Sequence, residues 1–486
     1  MIPVLDAGTV LRHGGHSGQA QRFTRSATEV AGRFMATVQF REWFAQRMLV
    51  NDFRTEPIPL DELQGWSADP ATGNIGHVSS RFFTIEGLRV QTDFLANSEW
   101  RQPIVHQPEV GILGILVKEF DGVLHCLMSA KMEPGNVNVV QLSPTVQATR
   151  SNYTRVHKGS AITYLEHFVL PRRGRVLVDV LQSEQGSWFY QKRNRNMVVE
   201  VTEDIPLEDG FCWLTIGQLL ELMTEDNVIN MDTRTVLSCI PFAADPASAA
   251  GDEWTSALAG SLDVASAEGS PLYDTIEILS WLTELKARYS LRTQLIPLRE
   301  ATGWELTDGR IVHQDRKYFD VIGVRVRASN REVTQWTQPL IAPCEQGVVA
   351  VVTKRIGGVP HVLLQARMEP GYLDSVEIGP TVQCCPGNYR DLPPAEQPPF
   401  LDLIESLPRG ALRYDVVLSE EGGRFYHAGN RYQVIELAED TPVRVPENFI
   451  WMTLGQMTVL VQHSRYLNVQ ARSMMCSLHS LWAVKS

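Results

Sequence analysis

The chain repeats itself at a fixed distance of 236 residues. The tetrapeptides Met-Glu-Pro-Gly and Pro-Thr-Val-Gln, which begin at Met132 and Pro144, return at Met368 and Pro380 with no residue gained or lost between them. A constant register over about a hundred residues indicates two tandem copies of one structural unit. Because many of the retained residues are polar or aromatic, more than a shared core has been kept. We therefore expect each copy to have been built around the same kind of pocket.

Composition indicates a globular protein with room for two units of about 200 residues. The formal charge of -12 argues against nucleic-acid binding, which needs a basic face. The longest aliphatic run, Val110 to Val117, is too short to cross a bilayer, and no signal peptide is evident, so we expect a cytoplasmic protein. Seven cysteines without a C-x-x-C motif favour reduced thiols over disulfides or structural zinc.

Changes in composition divide the chain into four segments. Residues 1–35 are rich in Gly, Ser, His and Arg without apolar periodicity, which predicts a mobile arm. Residues 36–240 and 273–486 are the two expected modules, and helical periodicity opens them at Val38–Val50 and Ile276–Tyr289. Residues 241–272 are dominated by Ala, Ser, Gly and acidic residues and predict a linker, with Trp254 as a candidate tether.

Each copy also contains a predicted hairpin with a two-residue turn, Asp121-Gly122 in the first and Gly357-Gly358 in the second. Thr215 and Thr453 are expected to cap helices late in each copy. The predicted unit is α+β, with helices against a hairpin-rich sheet. The expected strands are Val110–Phe120, Val123–Met132 and Arg175–Gln182, and in the second copy Val348–Ile356, Val359–Met368 and Arg413–Leu418.

Several enzyme classes lose their usual support because their motifs are missing. The sequence has no G-x-x-x-x-G-K-[ST] phosphate loop, no strand-linked G-x-G-x-x-G, no H-E-x-x-H and no G-x-S-x-G. The candidate functional residues are therefore the repeated polar and aromatic ones.

Four kinds of repeated residue could bind a ligand. Tryptophans can stack on a base or fill a core, and a cation at a strand end can bind a diphosphate or face solvent. An adjacent Asn-Arg pair can hold polar groups and phosphate. The first copy supplies Trp66, Trp100, Lys131, Asn194 and Arg195, and the second Trp304, Trp336, Arg367, Asn430 and Arg431.

The first copy is the better candidate for an active pocket because it is more basic. Residues 150–195 contain nine Lys or Arg against three Asp or Glu, whereas residues 386–431 contain five against seven. The same first-copy window holds Tyr164, Glu166 and His167, which have no obvious equivalents. These residue types serve proton transfer, although a histidine among aromatics is commonly a packing residue. Glu184 and Tyr190 are kept in both copies.

Four motifs, in order and in duplicate, carry a family resemblance. They are Trp-x-Gln-Pro, Met-Glu-Pro-Gly, Pro-Thr-Val-Gln followed four residues later by Asn-Tyr, and Ser-Glu-x-Gly-x-x-Phe-Tyr-x-x-x-Asn-Arg. This pattern resembles the NDP-hexose 2,3-dehydratases of bacterial deoxysugar biosynthesis over residues 38–480. The resemblance implies two Nudix-like modules, a homodimer and a dTDP-4-keto-6-deoxyhexose substrate. The metal-binding helix pattern of Nudix hydrolases is absent after both Pro-Thr pairs, so metal-dependent cleavage is not expected.

The implied reaction needs no metal and no organic cofactor. A base removes the C3 proton, which the C4 ketone acidifies, and an acid assists loss of the C2 hydroxyl to give a 3,4-diketo-2,6-dideoxyhexose. The unstable product implies a 3-ketoreductase as the next enzyme. A non-catalytic nucleotide-sugar binding protein and a divergent metal-dependent diphosphate hydrolase remain as alternatives.

Site roles are assigned from chemistry and position. His167 or Glu184 would transfer the proton, and Tyr164 or Tyr190 would act as acid or enolate donor. Lys131 and Arg195 would hold the diphosphate, and Trp66 or Trp100 would flank the base. The remaining expected substrate-binding residues are Gln147, Asn152, Tyr153 and Asn194, and the second-pocket equivalents are Trp304, Trp336, Arg367, Gln383, Asn388, Tyr389, Asn430 and Arg431.

Overall fold

The computed structural model describes residues 16–50, 52–149, 162–170, 173–245, 249, 251–263, 271–328 and 334–484, which combine helix and sheet. The first half contains helices α1 His16–Ala27, α2 Thr37–Val50, α3 Ile216–Leu222 and α4 Met231–Ser238. Its strands are β1 Phe53–Ile58, β2 Trp66–Ala68, β3 Ile75–His77, β4 Thr84–Thr92, β5 Glu99–His106, β6 Gly111–Phe120, β7 Val123–Met132, β8 Val140–Ser143, β9 Val146–Ala148, β10 Arg175–Ser183, β11 Arg193–Glu200 and β12 Phe211–Thr215.

The second half repeats this order. Its helices are α5 Glu253–Gly260, α6 Thr275–Arg288, α7 Leu401–Ser406, α8 Leu454–Val461 and α9 Val469–Ala483. Its strands are β13 Leu291–Ile296, β14 Trp304–Thr307, β15 Arg310–His313, β16 Phe319–Ala328, β17 Gln335–Pro343, β18 Gly347–Ile356, β19 Val359–Arg367, β20 Glu377–Gly379, β21 Val382–Cys384, β22 Leu412–Ser419, β23 Gly429–Leu437 and β24 Phe449–Met452.

Each half contains one large mixed sheet. In the first half the order is β10-β11-β6-β7-β12, with β8 beside β7 and β9 beside β6. The second half has the equivalent sheet, β22-β23-β18-β19-β20, with β21 beside β18 and β24 beside β19. Strand β11 is parallel to β6, and β23 is parallel to β18. Residues from both large sheets and from α4 and α9 belong to one continuous apolar core, so the halves share their largest buried region.

The smaller sheets exchange strands between the halves. Strand β1 of the first half pairs with β16 of the second along its whole length, and β13 of the second half pairs with β4 of the first. The two predicted modules, 36–240 and 273–486, are therefore joined by strand pairing and are not self-contained. The repeat predicts the elements but not the partner of each strand, because strand pairing depends on tertiary packing.

The predicted arm and linker both contain a buried helix. Within residues 1–35, helix α1 buries Phe23 and Ala27 completely, and within residues 241–272, helix α5 buries Trp254. The expectation of a mobile arm is wrong for residues 16–27, and the predicted linker contains the ordered helix α5. The predicted tether at Trp254 is confirmed as a buried contact. The two helices occupy equivalent places beside α3 and α8.

Most other predicted elements are confirmed. The hairpin turns at Asp121-Gly122 and Gly357-Gly358 have positive φ at all four positions, as two-residue turns require. Thr215 and Thr453 each form a capping box with a glutamine three residues later. Helices α2 and α6 lie where the periodicity predicts them. No helix in the described ranges has the length and hydropathy needed to span a membrane.

A reciprocal contact explains why Met-Glu-Pro-Gly is retained twice. The Gly135 amide donates to the Gly422 carbonyl at 2.7 Å, and the Gly371 amide donates to the Gly186 carbonyl at 2.6 Å. Each turn thus binds the Ser-Glu-x-Gly loop of the other half. A Cβ atom at Gly135 or at Gly371 would lie 1.7 Å from a carbonyl oxygen of that loop, so only glycine allows this approach.

Candidate functional site

A cavity of about 300 Å³ lies between the halves, at the reciprocal contact. The sequence predicts the active pocket within the first copy, whereas the wall of this cavity combines residues of both copies. The first half contributes Phe82, Gln107, Leu113, Lys131, Glu133, Gln147, Glu184, Lys192, Asn194 and Asp232, and the second half contributes Trp336, Gln338, Glu421, Gly423 and Arg424.

Glu184 is held as an oriented, buried carboxylate. It directly follows β10, and its Oε1 accepts a hydrogen bond of 2.7 Å from Asn194 Nδ2. Asn194 is fixed in turn because its Oδ1 accepts from the Gly111 amide at 3.0 Å. Glu184 Oε2 is buried and has no hydrogen-bond partner within the described part of the chain. Burial raises the pKa of Glu184 above its ordinary value, because the charged form loses hydration.

Two further carboxyl groups with raised pKa values line the cavity. Asp232 lies in the first turn of α4, and burial, reinforced by Glu184, raises its pKa well above the ordinary value. Burial and the charge of Glu133 raise the pKa of Glu421 to about 7. Asp232 Oδ1 and Glu421 Oε2 are both buried without a hydrogen-bond partner among the residues described. Carboxyl groups with raised pKa values are candidates for proton transfer.

Three cations face these carboxyl groups. Lys131 Nζ lies 3.4 Å from Glu133 Oε1. Lys192 precedes β11, and burial lowers the pKa of its amine to about 8. Arg424 reaches in from the second half, lies 4.2 Å over the ring of Phe83, and donates to the Gly423 carbonyl at 2.7 Å. The cavity can therefore bind an anion while keeping acid–base groups beside it.

The equivalent region of the second half is filled. Tyr372 replaces Asn136 and is buried, and a Cβ atom at Gly186 would lie 2.4 Å from the Tyr372 ring. Glu420, the equivalent of Glu184, accepts hydrogen bonds from Gln185, Asn430 and Tyr432. Its carboxylate is thus already satisfied by the protein.

The first-half cavity also has ionisable groups that the second half replaces with neutral ones. Lys192 corresponds to Ala428 at the same spacing as the tetrapeptides. Glu421, which the second half contributes to this cavity, corresponds to Gln185 of the first half. Asp232 corresponds to Gln470, counted from the matching helix caps Asn230 and Asn468.

The structure brings some predicted site residues together in this cavity. Lys131, Gln147, Glu184 and Asn194 all line it, and Gln147 Nε2 donates to Glu133 Oε1 at 2.9 Å. Trp336 also lines it, although the sequence assigned this residue to the second pocket. The strand exchange and the reciprocal loops explain this change of pocket.

The predicted catalytic residues His167, Tyr164 and Tyr190 do not line the cavity. His167 is buried, with Nδ1 2.9 Å from the Arg173 carbonyl, and the Tyr164 hydroxyl donates to the Pro206 carbonyl at 2.6 Å. Tyr190 packs near Trp100. A packing role, which the sequence left open for His167, describes all three residues better than catalysis, because each makes local contacts away from the cavity.

The predicted tryptophans of the first copy and Arg195 also lie outside it. Trp66 packs in the core of the small sheets and donates to the Thr337 carbonyl at 2.8 Å, and Trp100 donates to Gln102 Oε1 at 2.9 Å. Arg195 forms an ion pair with Asp179. Because successive residues of a strand point to opposite faces, Arg195 cannot share the direction of Asn194. Asn152 and Tyr153 lie outside the described residues.

The remaining second-pocket equivalents have structural partners. Trp304 packs on Phe319, and Tyr389 is largely buried, which raises its pKa. The other contacts are Arg367 and Gln383 with Glu369, Asn388 with the Tyr318 amide, Asn430 with Glu420, and Arg431 with Asp415.

Sequence reasoning missed four charged lining residues: Lys192, Asp232, Glu421 and Arg424. A search for positions that are ionisable in only one copy would have found all four, since Arg424 aligns with Trp188. Placing Glu421 and Arg424 in the first cavity, however, needed knowledge that the loops cross between the halves. Among the described residues no group of three or more His, Cys, Asp or Glu side chains could hold a metal ion.

Comparison with known proteins gives the chain a family context. A family model described as NDP-hexose 2,3-dehydratase matches residues 37–240 and again residues 275–478. A dTDP-4-dehydro-6-deoxy-alpha-D-glucopyranose 2,3-dehydratase of Saccharopolyspora spinosa is 55% identical over 472 residues, 96% of each chain. Proteins of the same name from Amycolatopsis orientalis and Streptomyces violaceoruber are 47% and 48% identical, over 98% and 92% of this chain and 97% and 98% of their own.

Proposed function

Because the chain belongs to the NDP-hexose 2,3-dehydratase family, we propose that the cavity between its halves dehydrates dTDP-4-keto-6-deoxyglucose to a dTDP-3,4-diketo-2,6-dideoxyhexose. The observation that carries the assignment to this cavity is its set of buried ionisable groups, Glu184, Lys192, Asp232 and Glu421. The last three are neutral in the filled equivalent region. The reaction needs a base, an acid and an oxyanion donor, and the cavity contains a candidate for each.

Glu184 is the proposed base. One carboxylate oxygen is anchored by Asn194, which leaves the other to accept the C3 proton of the sugar. The C4 ketone makes that proton acidic, and the raised pKa of the Glu184 carboxyl brings it closer to the proton it removes. This role keeps Glu184 as predicted and drops its alternative His167.

Asp232 is the proposed acid. Burial raises its pKa well above the ordinary value and so favours the protonated carboxyl group. The proton of that group can pass to the departing C2 hydroxyl, which leaves as water. The resulting enol then becomes the 3,4-diketone by taking up a proton at C2. Lys192, as an ammonium, stabilises the negative charge that develops on the C4 oxygen.

The substrate diphosphate is proposed to bind Lys131 and Arg424, which lie on opposite halves of the cavity wall. Arg424 takes the role predicted for Arg195, since a guanidinium offers paired donors to phosphate oxygens. Trp336 and Phe82 provide apolar surface for the thymine.

Finer expectations from the family remain proposals. We propose that the large mixed sheets are Nudix-like, supported by their parallel central pairs β6/β11 and β18/β23. A homodimer and a following 3-ketoreductase are likewise proposed, the reductase because a 3,4-diketone is unstable. The substrate class favours a cytoplasmic place in the biosynthesis of a deoxysugar for an antibiotic.

The test is an incubation of chelator-treated protein with dTDP-4-keto-6-deoxyglucose, followed by chromatography and mass spectrometry. We expect free dTDP together with the breakdown product of a diketo sugar, without added metal. An unchanged but bound substrate would support a binding protein instead. Release of a nucleoside monophosphate only after metal addition would support the hydrolase.

A further inference from the structure

A second, much smaller chamber lies behind the proposed base. Its volume is about 10 Å³, close to what one water molecule needs. Its wall includes Ser183, Glu184, Lys192, Tyr372 and Glu377. Glu184 and Lys192 also line the substrate cavity, so they form the partition between the two spaces.

Glu377 is the second carboxyl group in the wall of this chamber, beside Glu184. It is completely buried in β20, and its Oε2 accepts a hydrogen bond of 2.6 Å from Ser183 Oγ. Its Oε1 is buried without a hydrogen-bond partner in the described part of the chain. Burial raises the pKa of Glu377 to about 7, while Arg472 and Lys286 favour its charged form and Glu369 opposes it. Glu377 can therefore gain and lose a proton near neutral pH.

The other half shows that this position does not need a carboxylate for structure. Gln141 is the equivalent of Glu377, and its Oε1 accepts a hydrogen bond of 2.8 Å from Ser419 Oγ. The serine contact is thus the same in both halves. The carboxylate, however, is found behind Glu184 of the open cavity, whereas the amide accompanies the satisfied Glu420.

We propose that Glu377 is a proton-relay residue that receives the substrate proton from Glu184 through a water in this chamber. The inference rests on the proposed function. The C3 proton first forms a bond to Glu184 Oε2. Glu184 then gives a proton to the water, which passes one of its own to the Glu377 carboxylate, so Glu184 is again ionised. Glu377 releases its proton to solvent, and no electrons are exchanged with any other molecule.

The relay predicts how the abstracted proton exchanges with solvent. Substrate carrying deuterium at C3 is incubated in ordinary water, and deuterium loss from recovered substrate is measured beside dTDP release. In wild type Glu184 passes the abstracted deuteron to the water of the chamber and takes up a proton in its place, so unreacted substrate loses deuterium. In Glu377→Gln we expect deuterium loss per turnover and kcat to fall about tenfold with KM unchanged, because the proton on Glu184 returns to C3.

Ser183→Ala and Ser419→Ala are the matched pair, since each removes the same hydrogen bond in one half. Only Ser183→Ala should lower deuterium loss. Unchanged loss in folded Glu377→Gln would overturn the relay while leaving the dehydration intact, and if that variant does not fold, unchanged loss in Ser183→Ala decides equally. Wild type that neither exchanges nor dehydrates the sugar would remove the proposed function and the relay with it.

Discussion

Burial shifts the pKa of four ionisable side chains around the cavity, and these shifts point to the groups that can carry protons. Glu184, Asp232 and Glu421 all have raised pKa values, whereas the pKa of Lys192 is lowered. Folding does not gain from such groups, because a buried charge loses its hydration. These groups occur together in one cavity, whereas three of the equivalent positions hold neutral residues. The difference indicates that the groups are present for function rather than for stability.

Glu421→Gln should stabilise the fold at high pH. The carboxyl pKa is about 7 in the folded protein and ordinarily 4.5, so the folded state keeps a proton that the unfolded state loses. Stability therefore falls as pH rises from about 4.5 to 7. Glutamine removes this loss of stability. The difference in free energy of unfolding between the variant and wild type should therefore rise by up to about 3 kcal/mol, in favour of the variant, from pH 4.5 to pH 8. Urea unfolding at both pH values measures it; an equal difference at both would contradict the raised pKa.

The fall of the reaction rate at alkaline pH should follow the deprotonation of Lys192. Because its pKa is lowered to about 8, the ammonium that stabilises the C4 oxygen is lost above that pH. We expect kcat/KM to fall about tenfold per pH unit beyond it. In Lys192→Arg the cation persists, so any remaining activity should stay flat to about pH 10. If kcat/KM of the arginine variant fell above pH 8 as it does in wild type, Lys192 would be excluded as the group responsible.

At the scale of elements, the two Met-Glu-Pro-Gly turns bind the halves together. We expect Gly135→Ala and Gly371→Ala to lower the free energy of unfolding by similar amounts, about 2 to 4 kcal/mol, since each new Cβ meets a carbonyl oxygen at 1.7 Å. Thermal or urea unfolding provides the measurement. Gly410→Ala is a control, because a Cβ there has nothing within 4 Å. Equal stability of all three variants would contradict the close approach.

The sequence was informative about elements with local signals. Turn glycines, threonine caps and long periodic runs predicted the hairpins, α3, α8, α2 and α6, because each depends on neighbours in the chain. The exchange of β1 and β13 could not be predicted, since strand partners are chosen by tertiary packing. The same limit hid the site: Trp336 and Arg424 reach the first cavity only because the halves interlock.

At the scale of the whole molecule, shared packing makes the duplicated chain one cooperative unit. The common core and the exchanged strands leave neither half with its own complete set of partners. We expect calorimetry to show a single unfolding transition whose calorimetric and van't Hoff enthalpies agree. Two separate transitions would show that the halves unfold independently, against the exchange.

We propose that one cavity, built by both halves, removes the C3 proton with Glu184. The rate of dTDP release from dTDP-4-keto-6-deoxyglucose by wild type, Glu184→Gln and Glu420→Gln tests this role. These variants make the same change in equivalent loops. We predict a loss of about a hundredfold or more for Glu184→Gln, and a rate within about threefold of wild type for folded Glu420→Gln. A Glu184→Gln protein as active as wild type, or a larger loss in Glu420→Gln, would contradict the claim.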